Sequence, residues 1–188
     1  PRSVTTIGNF AVDYFLTGLA SLYKNNAIGV ILSGTATDGT LGLKAIKAEA
    51  GITFAQDETA QFEGMPQSAF ESGYVDFKLS PEGIANELKR LTDIPYTKLP
   101  SDKIDVVSIK EINGQAEELK QILSIVRDKS GVDFFLQYKQ ASIYRRVMRR
   151  MVLNKFEKLR DYGLMLKANP QQVDALFDDF LINVTNFF

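Results

Sequence analysis

The sequence predicts an α/β parallel sheet followed by an all-α helical domain, and three observations carry that expectation. Short apolar runs alternate with helically spaced apolar residues over the first half of the chain. Turn residues separate them. Beyond about residue 114 only helical spacing remains. Alternating strands and helices argue for parallel strands joined by crossover helices.

Taken in order, Phe10, Val12, Phe15, Leu16, Leu19 and Leu22 recur at helical spacing and predict a helix over residues 9–24. Ile28, Gly29, Val30, Ile31 and Leu32 form a continuous apolar run, expected of a parallel strand buried on both faces. Residues 34–39 are turn chemistry, and Leu41, Leu43, Ala45, Ile46 and Ala48 then mark a second helix. Gly51 falls where a left-handed residue closes a helix. Residues 52–55 and 74–79 read as two more strands. Ser80 then places a capping hydroxyl ahead of a proline, Pro81, at the first position of the next helix.

The character changes near residue 93. Pro95 and Pro100 lie among polar residues, and Ile104, Asp105, Val106 and Val107 make at most one edge strand, so residues 93–114 read as a linker. Leu119, Ile122, Leu123 and Val126 predict a helix closed by Ser130 and Gly131. Asn169 and Pro170 mark another start, followed by Val173, Leu176, Phe177, Phe180 and Leu181. The expected organisation is an α/β part over 1–92, the linker, and a helical part over 115–188.

Composition narrows the chemistry. Cysteine is absent, which excludes thiolate chemistry and disulfides and leans towards the cytoplasm. The 188 residues contain no histidine, so no histidine-dependent triad is complete within them. A net charge of −1 selects no partner, no apolar run approaches the length of a membrane span, and no metal site is expected. The start at Pro1 and the end inside Phe187 and Phe188 read as cut ends.

Three sets of residues invite a functional reading. Asp38, directly after the first strand, sits where α/β sheets collect ligands and catalytic groups, and it is equally an N-cap for the helix beginning near Gly39. Residues 139–160 hold eight basic residues against one acid, a local charge of +7. On a helical projection Ile143, Tyr144, Val147, Met148, Met151 and Val152 share one half, and Arg145, Arg146, Arg149 and Arg150 form a single exposed face opposite. Such a face is either a solvated surface or a site for an anionic partner: phosphate, carboxylate or nucleic acid. Asn183 and Thr185, flanked by apolar residues, read on spacing alone as helix terminators.

These segments together carry a resemblance. Ile31-Leu32-Ser33-Gly34, Asp38-Gly39, Gly42-Leu43, Ala55-Gln56-Asp57-Glu58 and Gly64-Met65-Pro66 with Ala69 resemble the C-terminal half of the CheB methylesterase catalytic domain. Tyr138-Lys139, Tyr144-Arg145-Arg146, Arg149-Arg150-Met151 and residues 183–188 resemble the N-terminal helical domain and domain junction of the CheR methyltransferase. One chain carrying both in this order is similar to the CheB/CheR fusions.

The resemblance implies a protein of cytoplasmic signalling that demethylates and methylates glutamate side chains of chemotaxis receptors. Asp38 becomes the acid of a Ser-His-Asp triad whose serine and histidine lie upstream of Pro1. Asn183 and Thr185 become neighbours of S-adenosylmethionine, the methyl donor. Arg145, Arg146, Arg149 and Arg150 become a docking face for acidic receptor helices, with neither nucleic acid nor direct membrane insertion involved. The family pattern has a second glycine where this chain has Ala36, and a positive φ there is expected to be strained. Two other classes compete: a regulatory scaffold that has lost one activity, and an unrelated α/β protein with a basic helical nucleic-acid-binding module.

Overall fold

The structure, a computed structural model, describes residues 10–93, 116–134 and 140–182. Asn183, Thr185, Tyr138, Lys139 and residues 94–114 of the expected linker lie outside the described residues. The chain divides into two compact units, Pro1–Leu88 and Lys89–Phe188.

In the first unit, α1 (Ala11–Tyr23), β1 (Ile28–Ile31), α2 (Thr40–Ala48), β2 (Ile52–Gln56), α3 (Gly64–Glu71), β3 (Phe77–Leu79) and α4 (Pro81–Thr92) follow in order. The three strands are parallel in the order β1-β2-β3, with Ile28 opposite Ile52 and Phe54 opposite Phe77. β2 is central, and every residue in it is buried. It is covered on both faces although two of its residues, Thr53 and Gln56, are polar. β1 alternates between half-buried and buried residues, so it is not covered on both faces as its composition suggested. The third strand is shorter than expected. Phe77–Leu79 form the register with β2. One residue earlier Asp76 N–H still donates to Thr53 O at 3.0 Å, but the Asp76 side chain takes the Thr53 amide, Oδ2 accepting from Thr53 N at 3.0 Å and from Thr53 Oγ1 at 2.9 Å.

The core is built from Leu16 and Ala20 of α1, Ala27, Ile31 of β1, Leu43 and Ile46 of α2, and Ala69 of α3. The stretch 64–71, quoted above only as a motif, is a helix. At Ser80 the expected cap is present, its Oγ accepting from Gly83 N at 3.2 Å.

The end of α2 departs from expectation. The left-handed residue is Ala50 (φ 65), not Gly51. Gly51 N–H donates to Ile46 O at 2.9 Å and Ala50 N–H to Lys47 O at 3.0 Å, a Schellman closure with alanine at C′. Gly51 is required for a different reason: a Cβ there would press on Ala27 O and the Ile46 side chain.

The second unit contains α5 (Ala116–Ser130), α6 (Gln140–Leu153), α7 (Leu159–Ala168) and α8 (Pro170–Leu181). Its core joins Leu119, Ile122 and Val126 of α5 to Ile143, Val147 and Met151 of α6, Tyr162 and Leu166 of α7, and Leu176 and Phe180 of α8. Phe134 packs between Phe177 and Phe180, ring centroids 5.7 and 4.8 Å away. Gly131 (φ 73) closes α5 as expected. Asn169 occupies the N-cap of α8 without capping it; its amide donates back to Met165 O at 2.9 Å.

Candidate functional sites

Asp38 stands in the loop at the carboxyl end of β1, half-buried. It does not cap α2, the helix it precedes. That helix has Gly39 at its N-cap and no side-chain cap bond. Instead the Asp38 carboxylate reaches α1: Oδ2 accepts from Val12 N at 3.1 Å and Oδ1 from Asp13 N at 2.9 Å. Two of the orphan amides at the start of α1 are thereby satisfied from 26 and 25 residues away. A carboxylate has about four lone-pair sites, so each oxygen retains capacity for one more donor.

The loop around Asp38 is pinned by backbone and amide contacts. Ser33 N–H donates to Gln56 Oε1 at 2.9 Å, Phe62 N–H to Ser33 Oγ at 2.9 Å, and Gly34 N–H to Phe62 O at 2.9 Å. Met65 N–H returns to Gly34 O at 2.9 Å. Within this frame Ala36 adopts φ 70, in the left-handed region. An L-residue in that region carries about 1–2 kcal/mol of backbone strain. Gly64 allows the close approach that fixes the loop, since a Cβ on it would lie 3.1 Å from Ala36 N and 3.2 Å from Gly34 O. At the end of β2, the Thr59 hydroxyl holds Asp57 below the usual carboxylate range, and the Lys78 ammonium does the same for Glu58.

The arginine set is not one exposed face. Arg146 and Arg149 are buried, with 4% and 1% of their surface exposed. Arg149 Nη1 pairs with Asp179 Oδ2 at 2.6 Å, and Arg146 donates to the Asp179 main-chain oxygen. Arg145 and Arg150 are half-buried. Arg150 Nη2 donates to Gln172 Oε1 at 2.7 Å. The physical reason is that α6 is enclosed on more than its apolar half, so part of the charged arc also meets protein. A helix covered on several sides does not sort its residues into two clean halves. Burial pushes the Tyr162 phenol up to about 12, with the charge of Arg150 opposing. Among the described residues Arg150 Nε and Tyr162 Oη, both buried, have no partner at full hydrogen-bond geometry.

Asp13, Gln172 and Asp179 carry no functional reading from the sequence, and Gln56 enters there only as part of a motif. Of these only Asp179 left a signal: it borders the apolar arc of α8 between Leu176 and Phe180.

A parallel α/β unit presenting a carboxylate at the carboxyl end of its first strand, followed by an all-α unit knitted by arginines, defines a two-part protein. Residues 3–88 match the family model described as CheB methylesterase, and residues 117–181 match the one described as CheR methyltransferase, all-alpha domain. The chain therefore joins a CheB methylesterase segment to a CheR all-alpha domain, in the order of a CheB/CheR fusion.

An uncharacterised 104.1 kDa protein of Rhodobacter capsulatus is 33% identical over 94% of this chain and 20% of its own length. A protein-glutamate methylesterase/protein-glutamine glutaminase of Geobacter sulfurreducens is 42% identical over 43% of this chain and 23% of its own length. The CheB methylesterase catalytic domain of Thermotoga maritima, a crystal structure, is 40% identical over 42% of each chain with a TM-score of 0.41. The chain thus spans 20% and 23% of the length of the first two relatives.

Proposed function

We propose that the protein carrying this chain edits methyl esters on glutamate side chains of chemotaxis receptors, hydrolysing them through its CheB part and forming them through its CheR part. The observation that carries the reading is the succession of the two family matches along one chain. The half-buried Asp38 carboxylate supports it locally, being held through one contact on each oxygen with capacity left for an imidazole N–H. In the proposed hydrolysis a serine outside these 188 residues attacks the ester carbonyl and a histidine takes its proton. Asp38 accepts the histidine Nδ1–H, fixing the tautomer and stabilising the imidazolium.

In the reverse modification S-adenosylmethionine is a substrate that supplies the methyl group. The resemblance assigns Asn183 and Thr185 to its neighbourhood. A receptor glutamate with a pKa of about 4.3 is already ionised at neutral pH, so the protein's task is alignment rather than proton removal. Of the four arginines, Arg145 and Arg150 retain exposure and are the proposed contacts for acidic receptor helices; Arg146 and Arg149 hold α8. That burial also weakens a nucleic-acid reading, which needs the whole set at the surface. No helix among the described residues is long and apolar enough to cross a membrane. A cytoplasmic location follows from the proposed substrate.

The test uses the intact protein with methylated and unmethylated receptor. Methanol release and label uptake from radioactive methyl donor are both expected. Asp38→Asn should lower the first on the order of 10⁴-fold and spare the second. Loss of neither activity in that variant, or absence of both activities in the wild type, overturns the reading.

A further inference from the structure

Neither α1 nor α2 supplies its own N-terminal cap: Phe10 and Gly39, at their N-caps, make no side-chain cap bond. Each helix is completed from the other. Asp38, one residue ahead of the α2 N-cap, takes the Val12 and Asp13 amides of α1 at 3.1 and 2.9 Å. Asp13, in the first turn of α1, takes the Gly42 amide of α2 on its Oδ1 at 2.7 Å. Asp13 is therefore bound at both ends. Its main-chain N–H holds the Asp38 carboxylate, and its side chain holds Gly42 of α2, four residues beyond Asp38. The side chain is 8% exposed, and its bond to Gly42 is buried. Water is poorly placed to replace it.

From this closed ring we infer that Asp13 is a positioning residue for the esterase reaction. It sets the direction of the Asp38 carboxylate without touching substrate. The inference rests on the reading of Asp38 as the triad acid. Removing the Asp13 acceptor frees the Gly42 amide and lets the start of α1 shift against the Asp38 loop. A displacement of about 1 Å in a catalytic array costs on the order of a hundredfold in rate.

The experiment is a double-mutant cycle on esterase turnover in the intact protein. Asp13→Ala should lower kcat by roughly tenfold to a hundredfold with KM unchanged. Asp13→Asn, whose amide oxygen still accepts from Gly42, should restore turnover to within about threefold, since only the charge is lost. In an Asp38→Asn background, Asp13→Ala should lower kcat no further, because the two residues act through one carboxylate. Should the alanine variant not fold, Asp13→Ser carries the test, since its hydroxyl is too short for the same bond but suits the first turn of a helix. Wild-type turnover in a folded Asp13→Ala or Asp13→Ser variant, or an undiminished further loss on top of Asp38→Asn, overturns the inference. A silent Asp38→Asn instead sinks the reading of Asp38, and with it any need to position that group.

Discussion

Arg149 and Asp179 meet in the interior of the all-α unit, Nη1 to Oδ2 at 2.6 Å, with 1% and 5% of their side chains exposed. Removing one partner of a buried pair leaves an uncompensated charge, whereas replacing both with apolar side chains of similar volume is often neutral. Asp179→Ala should therefore destabilise this unit by about 3–5 kcal/mol. The double variant Arg149→Met with Asp179→Leu should recover most of that loss. Denaturant midpoints of the single and double variants check the contrast. Equal losses in both would mean the pair contributes through shape rather than charge.

Tyr162 gives a pH dependence whose sign can be worked out. Burial raises the phenol from an ordinary value of 10.0 to about 12, so the folded protein keeps a proton that the unfolded chain loses. Stability from this group is fully present below pH 10 and falls as pH rises through the window to about 12. At 1.36 kcal/mol per unit the fall is roughly 2–3 kcal/mol. Tyr162→Phe should remove it. Among the described residues the Tyr162 hydroxyl makes no well-formed hydrogen bond, only a weak approach by the Arg150 guanidinium, so the substitution should cost about 1 kcal/mol or less near neutral pH. Melting curves across this range, read beside tyrosinate absorbance, test both statements.

Lys155 and Ala50 both occupy left-handed positions after helices, at φ 61 and φ 65. A left-handed L-residue costs about 1–2 kcal/mol, and relieving it with glycine is offset by about 0.4–1 kcal/mol of added entropy in the unfolded chain. Lys155 is exposed, so Lys155→Gly should stabilise by about 0.5–1 kcal/mol. Ala50 is 3% exposed, and the loss of its methyl, worth about 0.8 kcal/mol, should leave Ala50→Gly nearly neutral. Paired thermal shifts would show a difference of this sign or dismiss the strain at Lys155.

Asp38 should reveal two roles that separate by substitution. Asp38→Ala removes the acceptors for the Val12 and Asp13 amides and should destabilise the α/β unit by about 1–2 kcal/mol, the loss expected for an N-cap. Asp38→Asn keeps one oxygen acceptor and should cost less stability. It should still lower esterase turnover of the intact protein on the order of 10⁴-fold, because the histidine tautomer is lost. A turnover loss under tenfold would leave Asp38 as a cap alone.

Much of the architecture was legible because local pattern and burial agree. The three strands, with α1 and α2, fall where the alternating apolar segments put them. The fully buried strand, though, is β2, with Thr53 and Gln56 in it, and not the wholly apolar β1. The adjacent Ser80 and Pro81 announce α4, and the cap bond from Gly83 to Ser80 spans three residues. The arginines show where such reading stops. Their arc on a helical wheel is real, but whether an arc faces water depends on what packs against it, and Asp179 is 30 residues away. Asp38 fails for the same reason. The helix next to it in sequence is the obvious one to cap, while the helix it does cap begins 27 residues earlier. At Gly51, glycine was taken for a dihedral requirement, but the need is for space against Ala27 O.

The crossed carboxylates bear on how the α/β unit assembles. A helix with its own cap can start to form before it finds neighbours. Here the first turn of α1 waits for Asp38, and that of α2 waits for Asp13, so neither start is complete until segments 25 residues or more apart have met. The pair should therefore behave as one cooperative block, opening and closing together. In native-state hydrogen exchange the amides of Val12, Asp13 and Gly42 should exchange with a common opening free energy, although they belong to different helices.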